Sequence, residues 1–507
     1  MNRPFEENQN RDSVSPDGIW KFETDTPENL GIPSEAVLGF IEHLERRKLC
    51  MHSIMILRHD RIAAEAHYPP FTGDSPHRMF SSTKTFVSMA VGLLIDEGKI
   101  SLRSRMADFF PEYLPENIHP YTAEMTVRDL LLMATPYEHT TYTVKDPDWA
   151  RTFYTARPSH RSGTVFNYDT SGTVALNALV EKLSGQNLLD YLRPRLLDPL
   201  GFSPGVWCVE RPEGGAWGGS GLVCSVHELA RFGLFLLHRG NWQGRQLVSA
   251  SYMAEATSPL IDNRVSTSTP ETQFGYGYQI WCTRHGGYGA YGMGSQLAVC
   301  LPEKDILLVT TADTQSIQGG HDIILDAFWT GVYPRIEKGK LSENGEALAK
   351  LRDKLGRLEF PALDGEASSP RQKDLDGGNY LFDGNPMKIT RVRFGFTGDQ
   401  GCMKYSNATG DHEIRFGLGN YLEGSFPETH YFGGRIGVPS GRGFRYKASG
   451  AWFNPSSLTI YLYIIDFCLG TLKINACFGE AELTLHMSKT AEWFLDEYNG
   501  MASGKRE

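Results

Sequence analysis

The stretch from His77 to Leu102, HRMFSSTKTFVSMAVGLLIDEGKISL, decides how the rest of the sequence is interpreted. Its apolar positions predict a long helix from about Ser82 to Glu97 that stops at Gly98, a residue type common at helix C-termini. Ser81 and Lys84 form the only S-x-x-K pattern in the chain and lie where this helix begins. Residues three apart share a helix face, so the hydroxyl and the amine can touch. The stretch therefore predicts a nucleophilic serine with a lysine beside it.

The start of a helix supplies what a nucleophilic serine needs. Its free N–H groups and the positive end of its dipole stabilise an oxyanion that develops on the substrate. Burial lowers the pKa of a lysine, and the neutral amine can then accept the proton of Ser81. No GxSxG motif of the α/β-hydrolase type is present. The residue pairs at His227 and His412 begin like the zinc-protease motif HExxH, but Arg231 and Phe416 occupy the fifth positions, so no metal site is expected.

The composition predicts a folded protein that has no general attraction to polyanions. The 507 residues are 40% apolar and 22% charged, and 50 basic against 60 acidic residues give a formal net charge of −10. These values exclude a disordered chain and give no reason to expect a nucleic-acid or membrane partner. The eight cysteines lack CxxC spacing, and neither a secretory leader nor an apolar run of membrane length is apparent. We therefore expect a cytoplasmic protein.

Changes in composition divide the chain into four parts. We expect an N-terminal arm over residues 1–25, a domain of helices and strands over 26–340 and a linker helix over 341–359. The remaining residues, 360–507, contain short alternating strands punctuated by Gly, Pro and Asp, which predict an all-β domain resembling a barrel. A short helix is expected over Ala491–Tyr498.

Five segments, in order along the chain, resemble the penicilloyl-serine transferase superfamily. This superfamily comprises serine β-lactamases of the class C type, penicillin-binding D-Ala-D-Ala carboxypeptidases and related esterases and amide hydrolases. The segments are FSSTKTFVSMAVGLLIDEGKI from Phe80, TVRDLLLM from Thr126, SGTVFNYDTSG from Ser162, GGSGLVCSVHELARFGLFLLHRGNWQGRQL from Gly218 and YGMGSQLAVCLPEKDILLV from Tyr291. The resemblance covers roughly residues 30–335. It implies an α/β (α+β) domain of the β-lactamase/transpeptidase type, in which helices flank a central antiparallel sheet.

The resemblance also implies roles for individual residues. Ser81 would attack the substrate, while Lys84 and Tyr168 would handle protons. The third motif of the family, often Lys-Thr-Gly or His-x-Gly, matches residues 289–296, where this sequence has neither Lys nor His. The oxyanion hole would combine the Ser81 N–H with one from the third motif, whose candidate residues are Tyr291, Gly292, Gly294 and Ser295. The candidates for substrate contact are Tyr137, His139, Trp149 and Thr170.

Together these residues predict a serine hydrolase that forms an acyl-enzyme on Ser81. The expected substrate is a small ester, an amide or a short peptide, and neither a metal nor an organic cofactor is implied. The missing cation in the third motif argues against a β-lactamase or a D-peptidase, since their substrates carry a carboxylate. Three alternatives stay open: an acyltransferase with the same site, a β-lactamase or D-peptidase, and a non-catalytic binding protein on this fold. Assembly into a homo-oligomer also stays open.

Overall fold

The computed structural model describes residues 21–267, 269–428, 443–492 and 494–507. The first 20 residues of the expected N-terminal arm lie outside this described part. The last residues of that arm, Glu23–Thr24, form a short strand that pairs in parallel with Arg61 and Ile62. Within the described ranges, every helix is too short or too polar to cross a lipid bilayer.

Most helices lie in the first two thirds of the chain. They are Ser34–Arg46 (α1), Thr83–Asp96 (α2), Pro120–Ala123 (α3), Val127–Leu131 (α4), Trp149–Thr155 (α5), Thr170–Ser184 (α6), Leu188–Leu192 (α7), Val226–Leu237 (α8), Ala250–Ala256 (α9), Gly320–Gly331 (α10), Gly345–Leu355 (α11) and Gln372–Leu375 (α12). Helix α8 begins with a capping box, in which Ser225 and Glu228 each accept a hydrogen bond from the backbone N–H of the other.

The strands fall into two main groups along the chain. The first group is Glu23–Thr24 (β1), Met51–Arg58 (β2), Arg61–His67 (β3), His77–Arg78 (β4), Trp207–Cys208 (β5), Leu222–Cys224 (β6), Asn241–Trp242 (β7), Arg245–Gln246 (β8), Trp281–Cys282 (β9), Tyr288–Gly292 (β10), Gln296–Leu301 (β11) and Ile306–Ala312 (β12). The second group is Asn379–Phe382 (β13), Arg391–Thr397 (β14), Gln400–Asn407 (β15), Gly410–Leu418 (β16), Leu422–Ser425 (β17), Arg445–Asn454 (β18), Ser457–Ile465 (β19), Leu469–Phe478 (β20), Glu482–Thr490 (β21) and Gly500–Arg506 (β22).

A seven-stranded sheet in the order β1-β3-β2-β12-β11-β10-β9 forms the centre of the first domain. All its pairings are antiparallel except that of β1 with β3. Successive residues of β2 face opposite sides of the sheet, so Met55 and Leu57 pack with α2 and α8, while Ile54 and Ile56 pack with α1 and α10. The predicted central antiparallel sheet flanked by helices is confirmed.

Nine strands close into a barrel in the C-terminal part of the chain. Their order is β16-β15-β14-β13-β22-β21-β20-β19-β18, and β16 completes the ring by pairing in parallel with β18. The expected all-β, barrel-like domain is thus confirmed. The helix predicted over Ala491–Tyr498 is wrong, since the residues of that segment that the structure describes form a single 3-10 turn, at Asp496–Tyr498. Strand β22 follows this turn and pairs with both β13 and β21, so that neither is left with an open edge.

The barrel contacts the first domain beside the segment that leads to Ser81. The backbone N–H of Arg78 donates to the carbonyl of Phe467 at 2.8 Å. Thr471 Oγ1 donates to the buried carboxylate of Asp313 at 3.1 Å. The barrel is therefore hydrogen-bonded directly to the segment that leads to the candidate nucleophile.

Candidate active site

Ser81 lies on a single 3-10 turn, Phe80–Ser82, that leads directly into α2. The φ angle of Phe80 is 45°, a left-handed conformation that non-glycine residues rarely adopt. Such strained positions persist only where the surrounding structure holds them. Here Ser82 Oγ donates a hydrogen bond of 2.8 Å to the carbonyl of Gln296 on β11. The turn therefore holds Ser81 at a defined place between α2 and the sheet.

Lys84 lies one helical turn after Ser81 and is only 1% exposed. Its Nζ donates to Ser81 Oγ at 2.9 Å and to the carbonyl of Gly219 at 2.7 Å. Burial lowers the pKa of Lys84 to about 7, although the negative charges of Glu492 and Asp169 oppose the shift. An amine with this pKa is partly neutral near pH 7 and can accept the Ser81 proton. The structure thus brings the predicted serine and lysine into direct contact.

Tyr168 completes the group around Ser81. Its ring centroid lies 5.1 Å from Lys84 Nζ, and the Ser81 side chain lies close enough to lower the pKa of its hydroxyl. Withdrawal from water nevertheless raises the pKa of Tyr168 to about 12, because the effect of Ser81 only partly opposes this shift. The phenol therefore keeps its proton at neutral pH and is suited to donate it.

A cavity of about 190 Å³ lies beside Ser81 and Tyr168. Its lining residues are Ser81, Tyr168, Thr272, Trp281, Tyr291, Gly292, Met293, Leu297 and His321.

The walls of the cavity are aromatic and carry little charge. The rings of Tyr168 and Trp281 stack with centroids 5.3 Å apart, and Tyr291 lies 6.2 Å beyond Trp281. His321 is the one basic side chain among the lining residues that the structure describes. Burial lowers the pKa of His321, although Asp322 and Glu271 oppose the shift, so the imidazole is mainly neutral at pH 7. The cavity therefore favours an uncharged group.

Four residues were predicted in the third motif. Two of them line the cavity, and the other two are not among the lining residues that the structure describes. Tyr291 and Gly292 line it, and a Cβ at position 292 would collide with the carbonyl of Met79, so β10 runs tightly against the nucleophile turn. Gly294 and Ser295 form the turn between β10 and β11, where both have φ above 70°. The Ser295 hydroxyl is bonded to Thr314 Oγ1 at 2.7 Å.

The four predicted substrate-contact residues lie outside the described cavity lining. Tyr137 is buried and donates its hydroxyl to the Phe153 carbonyl. Trp149 is fully buried and donates Nε1 to the Thr143 carbonyl at 3.0 Å. His139 is exposed, and Thr170 begins α6. Their contribution to substrate binding stays a prediction.

Several groups at the site were missed by the sequence reasoning. His321, Trp281 and Thr272 line the cavity, and the carbonyl of Gly219 holds Lys84. Each comes from an element distant in sequence from Ser81. Trp281 lies close before the third motif, but its position there does not indicate which way its ring points.

The barrel contributes a carboxylate, that of Glu492, whose charge acts on Lys84. Glu492 forms an ion pair of 2.6 Å with Arg78, whose Nε donates to the carbonyl of Ser220 at 2.9 Å. Ser220 follows Gly219, whose own carbonyl accepts from Lys84. Glu492 therefore acts on the lysine through its charge and through this chain of contacts.

Comparison with known proteins identifies the same part of the chain. A family model described as Beta-lactamase matches residues 43–322. A 6-aminohexanoate-dimer hydrolase from Paenarthrobacter ureafaciens is 23% identical over 310 residues, which cover 56% of this chain and 78% of that protein. A solved structure from Bacillus anthracis, provisionally named as a 6-aminohexanoate-dimer hydrolase, has a TM-score of 0.51 and 17% identity, covering 62% of this chain and 89% of its own. The octameric penicillin-binding protein homologue from Pyrococcus abyssi has a TM-score of 0.45 and 16% identity, covering 92% of this chain and 99% of its own.

The reactivity of Ser81 is expected to rise with pH through about 7. Lys84 can accept the serine proton only when it is neutral, and its pKa of about 7 makes the neutral fraction rise about tenfold between pH 6 and pH 8. The rate of adduct formation with a fluorophosphonate, followed by intact-protein mass, measures this directly. Ser81→Ala should form no adduct, and Lys84→Met should react slowly at every pH. A rate that stays flat from pH 6 to pH 8 in the unmodified protein would contradict this assignment.

Replacing Glu492 with Gln should shift the midpoint of that pH profile downward by several tenths of a pH unit. The substitution removes a negative charge that raises the pKa of Lys84, and it leaves Arg78, which lowers that pKa, without its ion pair. Glu423→Gln is the matched control, because Glu423 on β17 forms an exposed ion pair with Arg445 of the barrel strand β18. An unchanged or higher midpoint in Glu492→Gln would contradict the inference that the barrel carboxylate raises the pKa of the lysine.

Proposed function

The chain belongs to the beta-lactamase family, as its sequence predicted, and we propose that it is a serine hydrolase that cleaves small amides or esters through an acyl-enzyme on Ser81. The observation that carries the proposal is the position of Lys84 Nζ, 2.9 Å from Ser81 Oγ inside a buried site. A lysine with a pKa of about 7 at this distance supports a role as the general base.

In the acylation step, Ser81 Oγ bonds to the carbonyl carbon of the substrate and its proton passes to Lys84 Nζ. The negative charge moves to the carbonyl oxygen, beside the backbone N–H of Ser81 and a second N–H from the β10 segment. The tetrahedral intermediate then collapses, and its bond to the leaving nitrogen or oxygen breaks. Tyr168 donates a proton to that leaving atom and regains one from Lys84. The raised pKa of Tyr168 supports this role as a proton donor.

In the second step, water releases the acyl group from Ser81. Lys84 is neutral again and accepts a proton from the water as its oxygen bonds to the acyl carbon. The bond between the acyl carbon and Ser81 Oγ then breaks, and the serine oxygen takes a proton back from Lys84. The products are a carboxylic acid and the unmodified enzyme, so no redox partner or metal is required by this sequence.

The character of the cavity supports an acyl group without charge. Trp281 and Tyr291 offer apolar faces, and His321 is mainly neutral, so a substrate carboxylate would lose its hydration without gaining a strong cation. This disfavours β-lactams and D-peptides, whose carboxylates need such a partner. The name of the Paenarthrobacter relative, a hydrolase of a 6-aminohexanoate dimer, supports including short linear amides among the compounds to be tested.

Substitution of the three central residues tests the mechanism. With short p-nitrophenyl esters and the corresponding anilides, Ser81→Ala should abolish turnover and Lys84→Met should lower kcat by about 10²- to 10⁴-fold. Tyr168→Phe should lower kcat more strongly for anilides than for esters, because the poorer leaving group depends more on proton donation. The matched controls are Lys99→Met and the exposed Tyr121→Phe, which should retain full activity. Activity that survives Ser81→Ala, or the absence of an acyl adduct in quenched reactions, would overturn the proposal.

A permanent cation in the cavity should change its selectivity. His321→Arg is expected to raise the ratio of kcat/KM for p-nitrophenyl hemisuccinate over p-nitrophenyl acetate by about tenfold, because arginine pairs with the carboxylate. His139→Arg is the matched control, since His139 is exposed and lies outside the described cavity lining. An unchanged ratio in His321→Arg, or the same increase in His139→Arg, would show that His321 does not face the acyl group.

A further inference from the structure

Three potential metal ligands converge at a place separate from the cavity of Ser81. Glu65 and His67 lie two residues apart on β3, so their side chains share one side of the strand, and His227 lies in the first turn of α8. Glu65 Oε1 is 2.8 Å from His67 Nε2 and 2.6 Å from His227 Nε2. One ligand atom from each residue lies within 4.8 Å of the other two.

Both imidazoles are oriented by a second contact. His67 Nδ1 is bonded to Ser53 Oγ at 2.8 Å, and His227 Nδ1 lies 3.2 Å from the carboxylate of Asp74. An oxygen on Nδ1 with Nε2 facing a common centre is the arrangement by which proteins orient metal-binding imidazoles. The orienting groups come from two further segments, β2 and the loop between β3 and β4.

The loop between β3 and β4 is shaped to admit the imidazole of His227. A Cβ at Gly73 would collide with the ring of His227, so any side chain at position 73 would displace it. The Gly73 carbonyl also accepts the backbone N–H of His227 at 3.2 Å. Backbone and side-chain contacts therefore both define the position of this ring.

We propose that Glu65, His67 and His227 bind one divalent transition-metal ion, with Zn²⁺ as the preferred ion. Two imidazole nitrogens and one carboxylate oxygen suit Zn²⁺, and a fourth position stays open for water. Ligand atoms at 2.0–2.2 Å from a tetrahedral ion lie about 3.4 Å apart, so Glu65 Oε1 must move back slightly from both nitrogens. Each Nε2 must carry no hydrogen when it binds the ion, so each neutral imidazole then holds its hydrogen on Nδ1, where Ser53 Oγ and the Asp74 carboxylate can accept it.

The proposed site does not use the sequence pattern that resembles HExxH. Glu228, the residue after His227, caps α8 through Ser225 and accepts the backbone N–H of Ser203 at 2.7 Å. The ligands that join His227 come instead from β3. The ion would tie β3 to α8 and so stabilise the fold, without taking part in the reaction at Ser81.

The test is a zinc titration of the full chain after treatment with EDTA and desalting. Isothermal titration calorimetry and native mass spectrometry with ZnCl₂ should give one ion per chain with a dissociation constant in the micromolar range or below, and Zn²⁺ should raise the melting temperature. His67→Gln and His227→Gln should each weaken binding at least tenfold. His59→Gln is the matched control, because His59 pairs with the single carboxylate of Asp305 at 2.7 Å. Co²⁺ should give a spectrum of nitrogen and oxygen ligands, without a thiolate charge-transfer band.

A second variant separates loss of the site from loss of the fold. Asp74→Asn keeps all three ligands, and the Asp74 side chain is 91% exposed, so the metal-free protein should melt as before. It should still weaken zinc binding by about tenfold, because Asp74 orients His227. The proposal is overturned if the chain binds no stoichiometric zinc, if both His variants bind it as tightly as the unmodified protein, or if the cobalt spectrum shows thiolate ligands.

Discussion

The burial of the Lys84 amine is the constraint on which the rest of the site depends. A charged ammonium group loses several kcal/mol of hydration when it leaves water, so a buried lysine needs acceptors and a lowered pKa. Ser81 Oγ and the Gly219 carbonyl are those acceptors, and they come from the nucleophile turn and from the segment before β6. A Cβ at Gly219 would collide with Thr170, so only glycine lets that carbonyl approach beside α6. The nucleophile turn, the segment before β6 and its packing against α6 thus all contribute to satisfying the buried Lys84 nitrogen.

The segment between β3 and β4 contacts both the barrel and His227 of the proposed metal site. It leads into Arg78, which pairs with the barrel carboxylate of Glu492. Lys447 of the barrel donates to the carbonyl of Pro69 at the start of the segment, and His227 packs on Gly73 in its middle. The barrel and the proposed metal site therefore hold the same segment at different points. Both would limit the movement of the turn on which Ser81 lies.

Part of the candidate site could be predicted from the spacing of residues close in sequence and from resemblance to the family. The contact of Ser81 with Lys84 follows from residues three apart at the start of a helix, and Tyr168 was identified through the segment SGTVFNYDTSG, which resembles the family sequence. The substrate candidates Tyr137 and Trp149 show the limit of such reasoning, since both are aromatic residues of an irregular segment and both are buried with bonds to carbonyls. Aromatic side chains in a long segment serve packing as readily as binding, and only their neighbours distinguish the two.

The sequence by itself determined the α/β domain with its central sheet, the β-rich C-terminal part and the pairing of Ser81 with Lys84, because hydrophobic period and helix geometry act over a few residues. Only the tertiary structure decided the rest. It placed His321 and Trp281 at the cavity, brought Glu492 to Arg78 and gathered Glu65 with His227. It also replaced the helix expected over Ala491–Tyr498 with a 3-10 turn at Asp496–Tyr498, after which β22 pairs with β13 and β21 to close the barrel. These features depend on contacts between residues far apart in the chain, which no local pattern of side chains records.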